Sequence, residues 1–370
     1  QGENAANYCG EKMELYALSG GSLRFDLRDP KRYPKITAST YFNLQGMMAG
    51  LWHTPIGDVT GPEKGRGNWF DSDGWKKMAR LGWRWTKDPV FAYTIKHFYG
   101  RSSETAEDWA TLEQAAASQK RAPWMENRSR FFPNWAGILE SGIQHDDFRF
   151  RRAVMMRLGT GSGHSHADAM DLQFFAHGVA ATCDGGQRGG YSTPGDSLSR
   201  VHNRIEIDDR DSGTYGWLNS LADAEGARYM MGESLPQPEV AWYRRQVALI
   251  DVDEGRASPR PLTPADMHPN AKLDPDVVTP NSYVFDVSRV AGGKQHTFCF
   301  HGYVADDVQT NLADARPGDK EPWLKAFPLP EKKRVGTTPE VFTATWQISR
   351  DFEKRSMMRA SFDEKSPPKF

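Results

Sequence analysis

The sequence contains no long apolar run, few cysteines and almost no net charge, and two of these features exclude a class of protein. Without about 18 consecutive apolar residues, the chain is not expected to cross a membrane as a helix. Its 47 basic and 48 acidic residues leave a net charge of −1, too small to recruit nucleic acid or a membrane surface. Cys9, Cys183 and Cys299 show no Cys-x-x-Cys spacing, so they leave the redox compartment open. The opening residues QGENAANYCGE are polar and lack a signal-peptide pattern.

The 370 residues are enough for two domains, and the patterning changes once along the chain. In the first part, apolar residues recur at three- and four-residue intervals, as in SDGWKKMARLGWRWTKDPVF, which predicts helices. Later, short β-like runs such as FRFRRAVMMRLG and AWYRRQVALIDVDE alternate with turn residues, which predicts an antiparallel sandwich. We therefore expect an α+β protein with a helical segment at 1–125 and a β-sandwich at 126–370.

Only 10 histidines occur in the chain, yet two of them lie two residues apart in GHSHADAMD, residues 163–171. If this stretch is a strand, His164 and His166 point to the same face, because side chains alternate with a period of two. Asp184 and His202 follow on neighbouring β-like segments. Two histidines and an aspartate suit zinc or a similar divalent metal. His-x-His is also common among structural and surface histidines, so the spacing alone leaves both interpretations open.

A family resemblance is carried by the longer stretch GHSHADAMDLQFFAHGVAATCDGG and the following RVHNRIEID. Together they resemble the β-sandwich signature of the heparinase II/III-like polysaccharide lyases. The segments YRRQVALIDVDE and SYVFDVSRVAGGKQHTFCFHG resemble later strands of that family, and TPIGD resembles a loop of its helical domain. The resemblance implies the end of an (α/α) toroid followed by a large antiparallel β-sandwich.

This sequence departs from the family pattern in three places. Ser165 stands where the family has glycine, and Arg204 stands where it has threonine. The family's upstream helices, with an Asn/His pair that neutralises the substrate carboxylate, have no counterpart here. We therefore expect this chain to begin inside the toroid and to act either as a homodimer or with an N-terminal portion.

The resemblance implies a role for each matched residue. The family's metal ligands match His166, Asp184 and His202, with zinc in a structural role. His164 matches the histidine that faces the substrate. Tyr8 matches the tyrosine that serves as base and acid, and Tyr16 is the alternative, with a place in substrate binding.

The reaction implied is β-elimination at a uronic acid, in which a base removes the C5 proton and the 4-O-glycosidic bond breaks. Because that C–H group is very weakly acidic, the adjacent carboxylate must be neutralised by nearby donors. The candidate carboxylate binders are Arg200, His53 and Arg66. The expected partner is an acidic polysaccharide, and the expected location is secreted or periplasmic.

Two other functions stay open at this stage. A cupin-like metal enzyme also uses His-x-His on a strand, but it usually adds a glutamate a few residues later, and here none follows His166 before Glu206. A carbohydrate-binding protein that keeps the fold without turnover is the second alternative. The sequence does not identify the polymer.

Overall fold

The structure is a computed structural model. It describes residues 29–50, 52–53, 73–159, 166–182, 198–211, 215–234, 240–253, 255–256, 276–302, 307–310, 316–317, 334–335 and 341–347. Two compact units divide the chain: Gln1–Thr54 with Lys64–Arg128, and Pro55–Glu63 with Ser129–Phe370. The first unit is mainly helical and the second is built from antiparallel sheets.

The described part of the first unit contains four α-helices and one short hairpin. They are α1 Pro34–Gln45, α2 Asp73–Thr86, α3 Pro89–Thr94 with a π-helical extension Ile95–Tyr99, α4 Ala106–Ala117, and strands β1 Met47–Met48 and β2 Trp52–His53. The side chain of Asp88 caps α3, and that of Thr105 caps α4 by accepting from the backbone N–H of Asp108. Apolar side chains of this unit form one core that includes Trp75, Phe91 and Leu112.

Two antiparallel sheets dominate the described part of the second unit. One has the order β3 Arg130–Phe132, β4 Ala136–Ser141, β5 Arg152–Arg157, β6 Leu172–Ala176, β7 Val179–Ala180; the other has the order β12 Ser282–Gly292, β11 Val240–Asp251, β10 Ala227–Ser234, β9 Gly216–Ala224. Smaller pairs join β8 Ile205–Ile207 to β13 His296–Phe298, β14 Asp307–Thr310 to β17 Ala344–Gln347, and β15 Arg316–Pro317 to β16 Arg334–Val335. Two-residue turns join β6 to β7 and β9 to β10, and a turn of this length requires antiparallel neighbours.

The two larger sheets bury their inner faces in a shared apolar core. Leu139 and Val154 come from the first sheet, and Met230, Val247 and Leu249 come from the second. The α+β class with antiparallel sheets predicted from the sequence is therefore confirmed. No helix among the described residues is long and apolar enough to span a membrane.

Strands β4 and β5 are buried along their whole length, which places charged side chains in the interior. Glu140 lies between Arg130 and Arg151, at 3.3 and 3.4 Å. Arg152 contacts Asp251 at 2.8 Å. Pairing of this kind offsets part of the desolvation penalty that buried charges incur.

Candidate functional site

His166 and His202, two of the predicted metal ligands, lie together inside the second unit. Their ring centroids are 5.4 Å apart and the ring planes meet at 41°. Both residues are buried, with 3% and 0% of their surface exposed. The structure thus brings together two imidazoles that are far apart in the sequence, in an interior position where buried polar rings require specific partners.

Neither histidine lies on a strand. His166 precedes the turn that leads into β6, and His202 follows a 3₁₀ turn at Ser199–Val201 and precedes β8. The strand alternation that would give His164 and His166 a common face therefore does not apply at His166. The position of each ring is determined by how its loop is attached to the sheets.

The two acidic residues next to His166 along the chain hold the loops in place. Asp168 pairs with Arg157 on β5 at 3.3 Å. Asp171 accepts from the backbone N–H of Asn203 at 2.5 Å and from the Gln173 amide at 2.6 Å. Through the Asn203 contact, Asp171 ties the His166 loop directly to the His202 segment.

A third segment, containing Cys299 and His301, closes over the His202 segment. The backbone N–H of Cys299 donates to the carbonyl of Arg204 at 2.8 Å, and a ring nitrogen of His301 lies 2.8 Å from the carbonyl of Arg200. Burial lowers the pKa of His301, which favours the neutral imidazole. Because a carbonyl oxygen can only accept, the ring nitrogen that faces it must be the one that carries a proton. The role of His301 in the described residues is therefore to fix the backbone around His202.

Arg200, a predicted carboxylate binder, is engaged by acidic residues of its own chain. Its guanidinium lies 3.0 Å from Glu206 and 3.7 Å from Asp209, and one fifth of its side chain is exposed. Burial raises the pKa of Glu206, and Arg200 acts in the opposite direction. A substrate carboxylate at Arg200 would have to compete with these two carboxylates.

Most of the other predicted site residues lie outside the described part of the chain: Tyr8, Tyr16, Arg66, His164 and Asp184. The backbone of His53 ends β2 and pairs with Met47. Within the part of the chain that the structure describes, no three His, Cys, Asp or Glu side chains are grouped so that they could hold a metal. A metal bound by both His166 and His202 would therefore need a further ligand from outside the described residues.

The structure is similar to solved heparinase structures. It matches heparinase III with a TM-score of 0.44 and 10% identity, over 66% of this chain and 38% of that one. It matches the heparan sulfate lyase HepC from Pedobacter heparinus with a TM-score of 0.42 and 10% identity, over 84% of this chain and 54% of that one. No protein-family model and no curated protein matches the chain. The chain thus spans about half or less of the solved structures it resembles.

Two buried residues that the sequence reasoning missed shape this site. Asn203 and Arg245 are both fully buried, and both make hydrogen bonds to the loops that carry the histidines. Asn203 follows His202 directly in the sequence, and this adjacency indicates that it lies close to the His202 ring. Arg245 lies on β11, and nothing in the local sequence shows that its guanidinium reaches these loops.

Proposed function

We propose that this chain is part of a polysaccharide lyase that cleaves a uronic-acid-containing polymer by β-elimination. The observation that carries the proposal is the placement of His166 and His202 side by side in the sandwich interior. The motif resemblance assigns both of these histidines to one metal, and such a metal requires them to converge. An acidic polysaccharide and a secreted or periplasmic location belong to the same proposal.

The measured separation of the two rings suits a shared zinc ion. With Zn–N distances of about 2.0–2.1 Å and tetrahedral angles, two imidazole centroids on one zinc lie roughly 5 Å apart. The observed 5.4 Å is close to this value. We assign Asp184 as the third protein ligand, and we assign the metal a structural role because it would tie the loop before β6 to the segment before β8.

The chemistry at the substrate requires a base and a way to neutralise the uronate carboxylate. Tyr8 is the proposed base and acid, and its pKa, about 10 for an ordinary tyrosine, must be lowered by nearby cations. His164 is the proposed base, or alternatively a partner of the carboxylate, when the C5 proton and the leaving oxygen lie on opposite faces. Arg66, His53, Tyr16 and Arg200 are the proposed substrate-binding residues.

Detection of the unsaturated uronate product tests the proposal. The purified protein is incubated with alginate, heparinoid, hyaluronan or ulvan, and the ultraviolet absorbance of the unsaturated ring is followed. We expect a rise on one polymer that is lost in Tyr8→Phe and retained in Tyr283→Phe, a matched control at an exposed tyrosine on β12.

One result would count against a lyase, and another would count against the assigned acid–base residues. Absence of product on every polymer, together with measurable binding to one of them, would favour the non-catalytic carbohydrate-binding alternative. Product formation that survives both Tyr8→Phe and His164→Ala would contradict the assignment of Tyr8 and His164 as the acid–base residues. Sedimentation of the same sample distinguishes a homodimer from a protein that needs an N-terminal portion.

A further inference from the structure

Arg245 reaches from one sheet of the sandwich to the loops that carry both histidines. Its Nη1 donates to the carbonyl of Met170 at 2.7 Å and to the carbonyl of Asn203. Its Nε and Nη2 donate to the two carboxylate oxygens of Asp286, at 2.9 and 2.5 Å. The guanidinium also lies over the ring of Phe298, 5.7 Å from its centroid. One side chain thus contacts four separate chain segments.

Asn203 joins the His202 segment to the start of β6 and to the segment of His301, through both its backbone and its side chain. The side-chain amide donates to the carbonyl of Leu172 at 2.9 Å, and the backbone N–H of Leu172 donates to the carbonyl of Asn203 at 3.2 Å. The side-chain oxygen of Asn203 accepts from the backbone N–H of His301. The residue is fully buried, so each of these hydrogen bonds is made away from water.

We propose that Arg245 and Asn203 are positioning residues that set the separation of His166 and His202. This inference rests on the metal centre proposed above. Met170 lies at the end of the turn that follows His166, and Asn203 follows His202, so the two carbonyls held by Arg245 belong to the two loops that carry the imidazoles. A change in either hydrogen bond shifts one loop relative to the other.

The geometry of these contacts requires an arginine, and another cationic side chain such as lysine would not reproduce it. A guanidinium donates in a plane from several nitrogens, which allows it to hold a carboxylate through two atoms and two carbonyls through a third. A lysine ammonium carries the same charge but cannot reproduce that fork. Arg245→Lys therefore keeps the charge opposite Asp286 and removes the bridge between Met170 and Asn203.

The adjacent residue provides a matched control. Arg244 lies next to Arg245 on β11, pairs with Glu233 at 2.8 Å and has 39% of its side chain exposed. Arg244→Lys is the same chemical change on the same strand, without any contact to the histidine loops. Asp286→Asn is a milder second variant, because it weakens the anchor of Arg245 and leaves the guanidinium in place.

Two measurements on the full chain test the proposal. In metal-free protein, hydrogen exchange at the amides of Leu172 and Asn203 is expected to be faster in Arg245→Lys than in wild type, and unchanged in Arg244→Lys. With zinc, the affinity of Arg245→Lys is expected to fall by about 10- to 100-fold, as for other residues that orient metal ligands. With Co²⁺, the visible absorption spectrum is expected to change in Arg245→Lys only.

The possible results distinguish a failure of the proposed positioning role from a failure of the proposed metal centre. If wild type binds no zinc, the proposed centre fails, and the exchange rates in metal-free protein still decide whether Arg245 fixes the loops. Unchanged exchange in Arg245→Lys and Asp286→Asn would overturn the inference. It would also be overturned by unchanged zinc affinity and an unchanged Co²⁺ spectrum, because the histidines would then keep their separation without the guanidinium.

Discussion

Asp251, the last residue of β11, offers the most quantitative test of the buried charge pairs. Its carboxylate accepts from the Ser141 hydroxyl at 2.5 Å, from Arg152 at 2.8 Å and from Arg228. Both arginines are buried, and 18% of the Asp251 side chain is exposed. Asp251→Asn therefore removes a carboxylate from two buried guanidinium groups, of which Arg228 keeps a second partner, Asp223, at 3.3 Å.

The expected loss of stability at neutral pH is about 2 to 4 kcal/mol. Removing one partner of a fully buried ion pair costs about 3–5 kcal/mol, and a hydrogen bond to a charged group contributes about 1.5–3 kcal/mol. The asparagine oxygen can still accept a hydrogen bond from one of the three donors, and the site is partly exposed. We therefore place the expected loss of stability below the upper limit for a fully buried ion pair. Chemical denaturation followed by circular dichroism measures it, with Asp276→Asn, an exposed aspartate, as the control.

The same variant should differ from wild type less as the solution is acidified. Burial acts to raise the pKa of Asp251, but the Ser141 hydroxyl, Arg152 and Arg228 outweigh it and hold the pKa below its usual range. A carboxylate of this kind adds stability that is complete above its unfolded pKa of about 3.9 and is lost as pH falls through the folded pKa. A difference below about 0.5 kcal/mol at pH 7, the size of an ordinary surface substitution, would refute the reasoning. A difference that stays constant down to pH 3 would refute it too.

Three further predictions concern the metal ligands, a thiol and a turn. A structural zinc site contributes about 10–16 kcal/mol over four ligands, so His166→Ala should weaken zinc binding by on the order of 100- to 1,000-fold in a competition titration. The exposed His97→Ala should leave the affinity unchanged. Burial raises the pKa of the free Cys299 thiol to about 11, so iodoacetamide at pH 8 should label it slowly until the protein is unfolded; rapid native labelling would contradict this. Gly142 has φ of 73°, and an added Cβ would meet the carbonyl of Phe150, so Gly142→Ala should lower the melting temperature, and an unchanged value would contradict the strain.

The sequence was sufficient for those parts of the fold that depend on local patterns. Alternating burial along β10 and β11 follows the period-two pattern of their residues. The sequence before α4 offers Ser103 or Thr105 as the cap, and Thr105 is the one that caps the helix. Both are decided by residues that are neighbours in the sequence, which is why they can be read from it.

The apolar run LQFFAHGVA shows where the prediction from local sequence patterns was incomplete. It forms two short strands, β6 and β7, because His177 and Gly178 both adopt positive φ and make a tight turn. His177, which the apolar context suggests is a core residue, is half-buried in this turn. Gly178 was the visible signal, since glycine commonly occupies such positions.

The contacts that organise the candidate site depend on partners far away in the sequence. The pairing of Arg245 with Asp286 follows from the register of β11 and β12, in which Val247 lies opposite Asp286. No pattern around Arg245 predicts that it also reaches Met170. His166 and His202 could be predicted as ligands of one metal only because a family motif links them, and the full ligand set with Asp184 stays a prediction.

The most direct test of the paired-histidine centre is X-ray absorption at the zinc edge of the zinc-loaded protein. We expect one zinc per chain with nitrogen and oxygen neighbours at about 2.0–2.1 Å and the outer-shell scattering of two imidazoles. His202→Ala should remove one of the two imidazoles from that shell. A zinc with sulfur neighbours, a shell without imidazole, or a protein that retains no zinc would contradict the assignment of His166 and His202.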